Sequence, residues 1–296
     1  AEAFRKIRAK RPDIILLAGE THEDTDVIAP AADLVVNADF LSRGYLIPHS
    51  AWELGAKTLV HISFPRHLGY DDLARRRAIM AQACADLGLR FVDEEAPDPT
   101  GDAGVDGARR FILEKFPAWL AKYGRDTAFF STNEAHAVPL IRQVADLGGI
   151  FVEADIPSPL LGYPEAFDLD LQAEAEAGDW PALLKKVEEA ADRHEAGGRL
   201  GTWAYSLGFC HTAGLAEFGK LIAEGRAGIS DTKALLAGYG KFSPGAKWNG
   251  TYYMDPVTSK PIKNYLLIYQ DTYIFGRGYL GAASLDIPEK YFLIRP

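Results

Sequence analysis

The sequence predicts an α/β fold with mostly parallel sheets. Near-continuous apolar runs of strand length alternate with segments whose apolar residues recur at the helical period. Runs without polar alternation are typical of strands buried on both faces, as parallel strands are. Repeated strand–helix–strand units also imply right-handed crossovers. With 296 residues, the chain is long enough for one large domain or for two lobes with separate cores.

The first element in chain order is a predicted helix at Glu2–Arg11. Asp13–Gly19 follows as an apolar run that favours a strand buried on both faces. Further runs of the same kind predict strands at Leu34–Phe40, Thr58–Phe64, Leu89–Glu95, Ala128–Thr132 and Ile150–Ile156.

Helices are predicted between these strands from apolar spacing. In Asp71–Leu87 the apolar stripe consists of Leu73, Met80, Cys84 and Leu87, and the predicted solvated face consists of Arg75, Arg76 and Arg77. Asp179 before Trp180-Pro181 indicates a helix start, with an N-cap acid and proline in the first turn. The buried positions that continue these later helices are Leu184, Val187 and Ala191, then Leu215, Phe218 and Ile222, with an end near Gly225. Beyond about residue 228, Gly, Pro and aromatic residues increase, and Leu266–Gln270 is the clearest strand.

Composition excludes several classes of protein. The net charge is −9, the pI is about 5.3, and no Lys/Arg-rich run offers a face for nucleic acid or an anionic membrane. The apolar runs are well short of the ~20 residues that a transmembrane helix needs, and residues 1–10 contain no signal-peptide core. Cys84 and Cys210 are predicted to be buried free thiols, with one long-range disulfide as the alternative. Without a CxxC pair or clustered ligands, no metal site or other cofactor is expected.

Most candidate ligand-binding residues lie near or just after the carboxyl ends of the predicted strands, because ligands of parallel α/β sheets bind outside these ends. Arg66 suits carboxylate or phosphate groups, and Asn133 and Glu134 suit hydroxyl or amine groups. Trp203 and Tyr205 can stack on sugars or nucleobases. The complete candidate set is Glu20, Thr21, His22, Ser63, Arg66, His67, Asn133, Glu134, Asp155, Ser158, Trp203 and Tyr205.

Each candidate also has a purely structural interpretation. Arg66 can form a surface salt bridge with a neighbouring acid, and Asn133 can be the N-cap of the next helix. Glu20, Thr21 and His22 can belong to a solvated acidic loop, since Glu23 and Asp24 continue the charge. Core packing is the commoner role of a tryptophan such as Trp203.

The order of elements, with "ELGAKTLVHISFPRH" (Glu53–His67) and "KYGRDTAFFSTNEAH" (Lys122–His136), resembles type I periplasmic binding proteins. Five further motifs resemble an uncharacterised bacterial family of lipoproteins or exported proteins in the solute-binding class. These motifs are "GETHEDTDVI" (Gly19–Ile28), "ISFPRH" (Ile62–His67), "APDPTGDAGVDGARRFILE" (Ala96–Glu114), "PSPLLGYPEA" (Pro157–Ala166) and "GTWAY" (Gly201–Tyr205).

The resemblance implies two Rossmann-like lobes that close by a hinge on a ligand held in a cleft between them. Lobe 1 is expected to comprise residues 1–55 and about 228–296, and lobe 2 residues 56–227. Proteins of this class have about a hundred further residues at the amino end if lobe sizes are typical, so the chain is expected to be incomplete there.

The resemblance further implies an extracytoplasmic protein, periplasmic or lipid-anchored, that serves an ABC-type permease as a monomer. Expected ligands are a nucleoside, a sugar or a carboxylate-bearing metabolite. No catalytic motif is found, so an enzyme is not expected. The alternatives are an enzyme that uses Arg66, His67 and Glu134 in the same cleft, and a ligand-sensing module of a regulator.

Overall fold

The computed structural model of the chain describes residues 1–295. The helices are α1 Glu2–Lys10, α2 Thr25–Ile28, α3 Phe40–Glu53, α4 Pro65–Leu68, α5 Asp71–Leu87, α6 Gly104–Tyr123, α7 Ala137–Leu147, α8 Tyr163–Phe167, α9 Gln172–Ala177, α10 Trp180–Arg193, α11 Leu207–Ala223 and α12 Thr232–Lys241. The strands are β1 Leu17–Gly19, β2 Leu34–Ala38, β3 Thr58–Ser63, β4 Arg90–Glu95, β5 Thr127–Ser131, β6 Gly201–Trp203, β7 Trp248–Met254, β8 Pro261–Gln270, β9 Thr272–Ile274 and β10 Gly278–Tyr279. Within residues 1–295, no helix is long and apolar enough to span a lipid bilayer.

The chain divides into two compact units. The first unit comprises Ala1–Phe40 with Leu207–Gln270, and the second comprises Leu41–Ser206 with the residues from Asp271 onward. These divisions differ from the predicted boundaries near residues 55 and 228, and residues 271–295, which were predicted in lobe 1, belong to the second unit. Helix α3 belongs to the second unit because its Ile47 and Ala51 pack in that unit's core.

The first unit contains a four-stranded sheet in the order β1-β2-β8-β7. Strands β1, β2 and β8 are parallel, and β7 pairs with β8 in antiparallel orientation. Helix α11 packs on β1 so closely that a Cβ on Gly19 would lie 2.5 Å from Leu215 Cδ1. The helix thereby covers the sheet next to the carboxyl end of β1.

The second unit contains a parallel sheet in the order β4-β3-β5 and a small antiparallel sheet in the order β10-β9-β6. Single bridges from Ala128 to Ile150 and from Phe151 to Leu200 link β5 to β6. Helices α3 and α5 pack on one face of the parallel sheet, where Met80 and Cys84 are completely buried.

Most predicted elements are confirmed, but two predicted strands are too long. Ile14 and Ile15 are exposed and precede β1, because Arg8 donates to the Ile14 carbonyl and Asp33 accepts from the Leu16 N–H. These side chains bind backbone groups of Ile14 and Leu16, and the strand pairing of β1 with β2 begins only at Leu17. The predicted strand Ile150–Ile156 makes only the single bridges at its first two residues.

The predicted solvated face of α5 is wrong for two of its three arginines. Arg75 and Arg76 are both 0% exposed, whereas Arg77 pairs with Asp93 at the surface. Arg76 forms an ion pair with Asp155, and Arg75 donates to the Phe292 carbonyl. The two buried guanidinium groups therefore connect α5 to other segments of the second unit.

The two cysteines are buried free thiols, as predicted. Cys84 lies in the second unit and Cys210 in the first. Burial raises the pKa of each thiol to about 12. Both cysteines therefore act as small apolar side chains in their cores.

The predicted N-cap of α10 is confirmed, since Asp179 Oδ1 accepts from the Ala182 N–H at 3.1 Å. We expect Asp179→Ala to lower the free energy of unfolding by about 1 kcal/mol, because one N–H of the first turn loses its acceptor. Urea denaturation checks this, with the exposed Asp102→Ala as the control. Equal stability of the two variants would contradict the prediction.

Candidate functional site

The second unit brings candidate residues together at the carboxyl ends of β3 and β5. Ser63 Oγ lies 2.8 Å from Thr132 Oγ1, and His67 Nδ1 lies 3.2 Å from the same hydroxyl. Their main-chain positions follow from the parallel register, in which Ile62 is opposite Ser131. Adjacent parallel strands thus deliver side chains from separate segments to one edge of the sheet.

Two acidic residues and a histidine complete this group. Glu134 Oε1 accepts from the Ile156 N–H at 2.6 Å, which ties the loop after β5 to the segment that contains Asp155. His136 Nδ1 lies 2.6 Å from Ser131 Oγ. We call the six residues Ser63, His67, Thr132, Glu134, His136 and Asp155 the strand-end cluster.

Two buried arginines hold the acidic side of the strand-end cluster. Arg76 pairs with Asp155 at 2.6 Å, and Arg43 pairs with Glu153 at 2.6 Å. Arg43 also donates to the carbonyls of Ala154 and Asp155. Because these carbonyls bond to a guanidinium group, residues 152–156 leave the sheet instead of continuing the predicted strand. The two arginines fix where the Asp155 carboxylate lies.

Burial shifts several pKa values in the strand-end cluster. Burial, with Asp155 adding to it, raises the pKa of Glu134 to about 8. Burial lowers the pKa of His136 to about 4, with a further decrease from His67. Burial also lowers the pKa of His67, although Asp155 opposes that change. These pKa shifts favour a protonated Glu134 and neutral His67 and His136 side chains at neutral pH.

Other candidates of the second unit have structural partners. Arg66 forms a bidentate ion pair with Asp98, which holds the pKa of the Asp98 carboxyl group well below its usual range. Asn133 caps the next turn by accepting from the Ala135 N–H at 2.9 Å. The surface salt bridge and the N-cap that were the alternatives for these residues are thus present. An anionic ligand at Arg66 would compete with Asp98.

The aromatic candidates and Ser158 are buried. Trp203 is 1% exposed, and its Nε1 donates to Glu153 Oε2 at 3.1 Å. Tyr205 is 4% exposed and packs on the ring of Trp180. Ser158 Oγ accepts from the Leu160 N–H within its own loop. Trp203 supports the acidic side of the strand-end cluster through Glu153.

Glu20, a candidate residue of the first unit, is held by several hydrogen-bond partners. Glu20 has a left-handed backbone with φ 48°, and its Oε2 accepts from the Ala38 N–H at 3.1 Å. The same oxygen lies 2.6 Å from His211 Nε2, and His211 Nδ1 lies 2.7 Å from the Tyr239 hydroxyl. This places an anchored carboxylate after β1, at the carboxyl edge of that sheet.

Thr21 and His22 differ in their environment. The Asn37 side chain accepts from the Thr21 N–H at 3.0 Å and donates to the Thr21 carbonyl at 2.9 Å, which fixes the loop. His22 is exposed. Within residues 1–295, no group of three or more His, Cys, Asp or Glu side chains is arranged to bind a metal ion.

Sequence patterns did not mark Arg43, Arg76, Thr132, His136 or His211 as candidates for the site. Thr132 and His136 flank the candidates Asn133 and Glu134, so their position after a strand was available as a signal. His211 and Arg43 lie on helices among apolar residues, and no local pattern distinguishes them.

The fold has a solved counterpart. A crystal structure of a proposed transcriptional regulator from Clostridium difficile 630 matches with a TM-score of 0.81 and 21% identity, over 93% of this chain and 76% of that one. At this identity the likeness shows the fold alone. The chain thus has the two-lobed α/β fold of the type I periplasmic-binding-protein class, which confirms the predicted fold class.

Sequence comparisons add the family. Residues 1–201 match the model of a protein family of unknown function, DUF3798, and a second family model matches residues 212–294. An uncharacterised Treponema pallidum protein is 40% identical over 190 residues, covering 64% of this chain and 85% of the relative. Another from the same organism is 54% identical over 101 residues, covering 34% and 46%. The chain therefore belongs to the DUF3798 family.

Proposed function

We propose that the chain is a solute-binding protein that captures a small polar ligand at the strand-end cluster and delivers it to a membrane permease. The supporting observation is the convergence of Ser63, His67, Glu134 and Asp155 at the carboxyl edge of a parallel sheet. Ligands of α/β sheets bind at this edge. The binding-protein-like fold is consistent with ligand binding.

Preorganisation is the second support. The buried ion pairs from Arg43 and Arg76 keep the acidic side chains in place before any ligand arrives. Side chains that are already ordered lose little conformational entropy on binding, which favours affinity. No covalent step is part of the proposal, so the ligand is expected to leave unchanged.

We expect gently purified protein to retain a stoichiometric small molecule that native mass spectrometry detects and denaturation releases. With the released compound as ligand, Asp155→Asn should weaken binding about 10- to 100-fold, because hydrogen bonds to charged groups contribute about 1.5–3 kcal/mol. The exposed Asp170→Asn is the matched control. Unchanged affinity of Asp155→Asn would remove the strand-end cluster from the binding site.

A regulator module is the second candidate, since the solved counterpart is described as a proposed transcriptional regulator. An enzyme that uses Arg66, His67 and Glu134 is the third. Recovery of the bound compound unchanged after incubation favours the binding protein over the enzyme. Fractionation of the native cells distinguishes the solute-binding protein from the regulator module, because the solute-binding protein is proposed to be extracytoplasmic.

The predicted hinge closure of the two lobes is tested by small-angle scattering with and without ligand.

A further inference from the structure

The second unit has one more buried or half-buried carboxyl group around Arg43 and Arg76 than these two arginines pair with, and that group is Glu134. Glu153 and Asp155 each pair with a buried arginine, Arg43 and Arg76 respectively. Glu134 forms no ion pair with any cationic group in residues 1–295, and its Oε2 is closed to solvent without a hydrogen-bond partner there. The charged groups that act on it are Asp155, Arg43 and Arg76. Three carboxyl groups thus share two guanidinium groups.

His136 lies in the same short turn as Glu134, residues 134–136, and provides an independent observation. Its ring is 0% exposed, and Nδ1 is held by Ser131 Oγ at 2.6 Å. Nε2, on the other side of the ring, makes no hydrogen bond within the described part of the chain. A buried polar atom without a partner costs about 1–3 kcal/mol. Proteins retain such groups where function requires them, and a ligand can supply the missing partner.

We propose that the ligand presents a protonated amine to Glu134 and Asp155, and that its binding displaces the proton of Glu134 into the buffer. This inference rests on the proposed function and assigns the charge class of the ligand at that site. In the step, the Glu134 O–H bond breaks, the proton leaves to solvent, and the carboxylate pairs with the ammonium group. One positive charge enters as one leaves, so the net charge of the site is unchanged.

The raised pKa of Glu134 supports this exchange. With a pKa of about 8, the unliganded site holds the proton at neutral pH. Amine binding should therefore strengthen about tenfold per pH unit between pH 6 and 7 and level off above pH 8, by linkage. A neutral ligand that accepts a hydrogen bond from protonated Glu134 would show the opposite trend.

The probes are amino sugars, basic amino acids and polyamines, each matched with the analogue in which hydroxyl replaces amine. Isothermal titration in two buffers of different ionisation enthalpy gives affinity and proton release together. We expect binding of at least one amine, with about one proton released per ligand at pH 6.5 and at least tenfold weaker binding of its hydroxyl analogue. Glu134→Gln keeps the acceptor for Ile156 and should abolish the proton release, whereas the exposed Glu114→Gln should not.

The outcomes separate the two proposals. If only hydroxyl or anionic compounds bind, the amine proposal is overturned and the solute-binding function remains. If no probe binds and the purified protein contains no ligand, both fail. Carbon-13 NMR of the Glu134 carboxyl in unliganded protein is a direct check that does not depend on the variant. A titration midpoint below pH 6 would overturn the proton exchange.

Discussion

Replacing Arg43 with methionine is expected to lower the free energy of unfolding by about 3–5 kcal/mol. Arg43 is 1% exposed and pairs with Glu153, which is 2% exposed. Methionine fills a similar volume but leaves the Glu153 carboxylate uncompensated in the protein interior. It also removes the donors for the carbonyls of Ala154 and Asp155. Urea denaturation followed by circular dichroism measures the change.

The exposed Arg110→Met is the matched control and should change stability by less than 0.5 kcal/mol or so, as surface substitutions do. The double variant Arg43→Met with Glu153→Leu should recover part of the loss, since it removes the uncompensated charge. Trp203 Nε1 then loses its acceptor, so recovery is expected to be incomplete. A loss below about 1 kcal/mol for Arg43→Met alone would show that the ion pair contributes little.

The second large effect concerns Glu134, whose replacement by glutamine should stabilise the protein at neutral pH. In the folded protein its pKa is about 8, against an ordinary value of 4.5. Between these values the unfolded chain has lost the proton that the folded protein retains, so wild-type stability falls as pH rises from 4.5 to 8. Glutamine has the same shape and does not titrate. By linkage the variant should gain on the order of 3 kcal/mol at pH 7.

The decisive measurement is how the difference in unfolding free energy between wild type and Glu134→Gln depends on pH. Urea denaturation of wild type and Glu134→Gln at pH 4, 5.5, 7 and 8.5 should give similar stability at pH 4 and a gap that widens to about pH 8. Glu114→Gln should show no such widening, because Glu114 is exposed on α6. A difference that stays constant over this range would mean that the Glu134 pKa is not raised.

Local patterns predicted the secondary structure well where a single segment determines it. The Asp179 cap and the complete span of α5 depend on residues close together in sequence. The buried state of Arg76 does not, because its partner Asp155 lies 79 residues away. Helical periodicity treats an arginine as a surface residue, and only the tertiary structure supplies the opposite charge.

The candidate site was likewise predictable only where residues close together in the sequence determine it. The rule that ligands bind after parallel strands selected Ser63, His67, Glu134 and Asp155 as candidates from sequence alone, and the structure brings them together. It could not find His211, whose partner Glu20 is 191 residues away. Nor could it show that Arg66 already has a carboxylate partner, because the Asp98 loop is adjacent only in the fold.

The pairing of β6 with β9 affects how the protein folds as it is made. Gly201 is opposite Ile274, and the whole segment Leu207–Gln270 of the first unit is synthesised between them. Until residues 272–274 leave the ribosome, β6 lacks its partner strand β9 in the nascent second unit. Another strand can pair with this exposed edge and give a misfolded chain. Such distant pairing also slows folding, because a long loop must close first. The second unit therefore completes its β10-β9-β6 sheet only after nearly all of the chain has been synthesised.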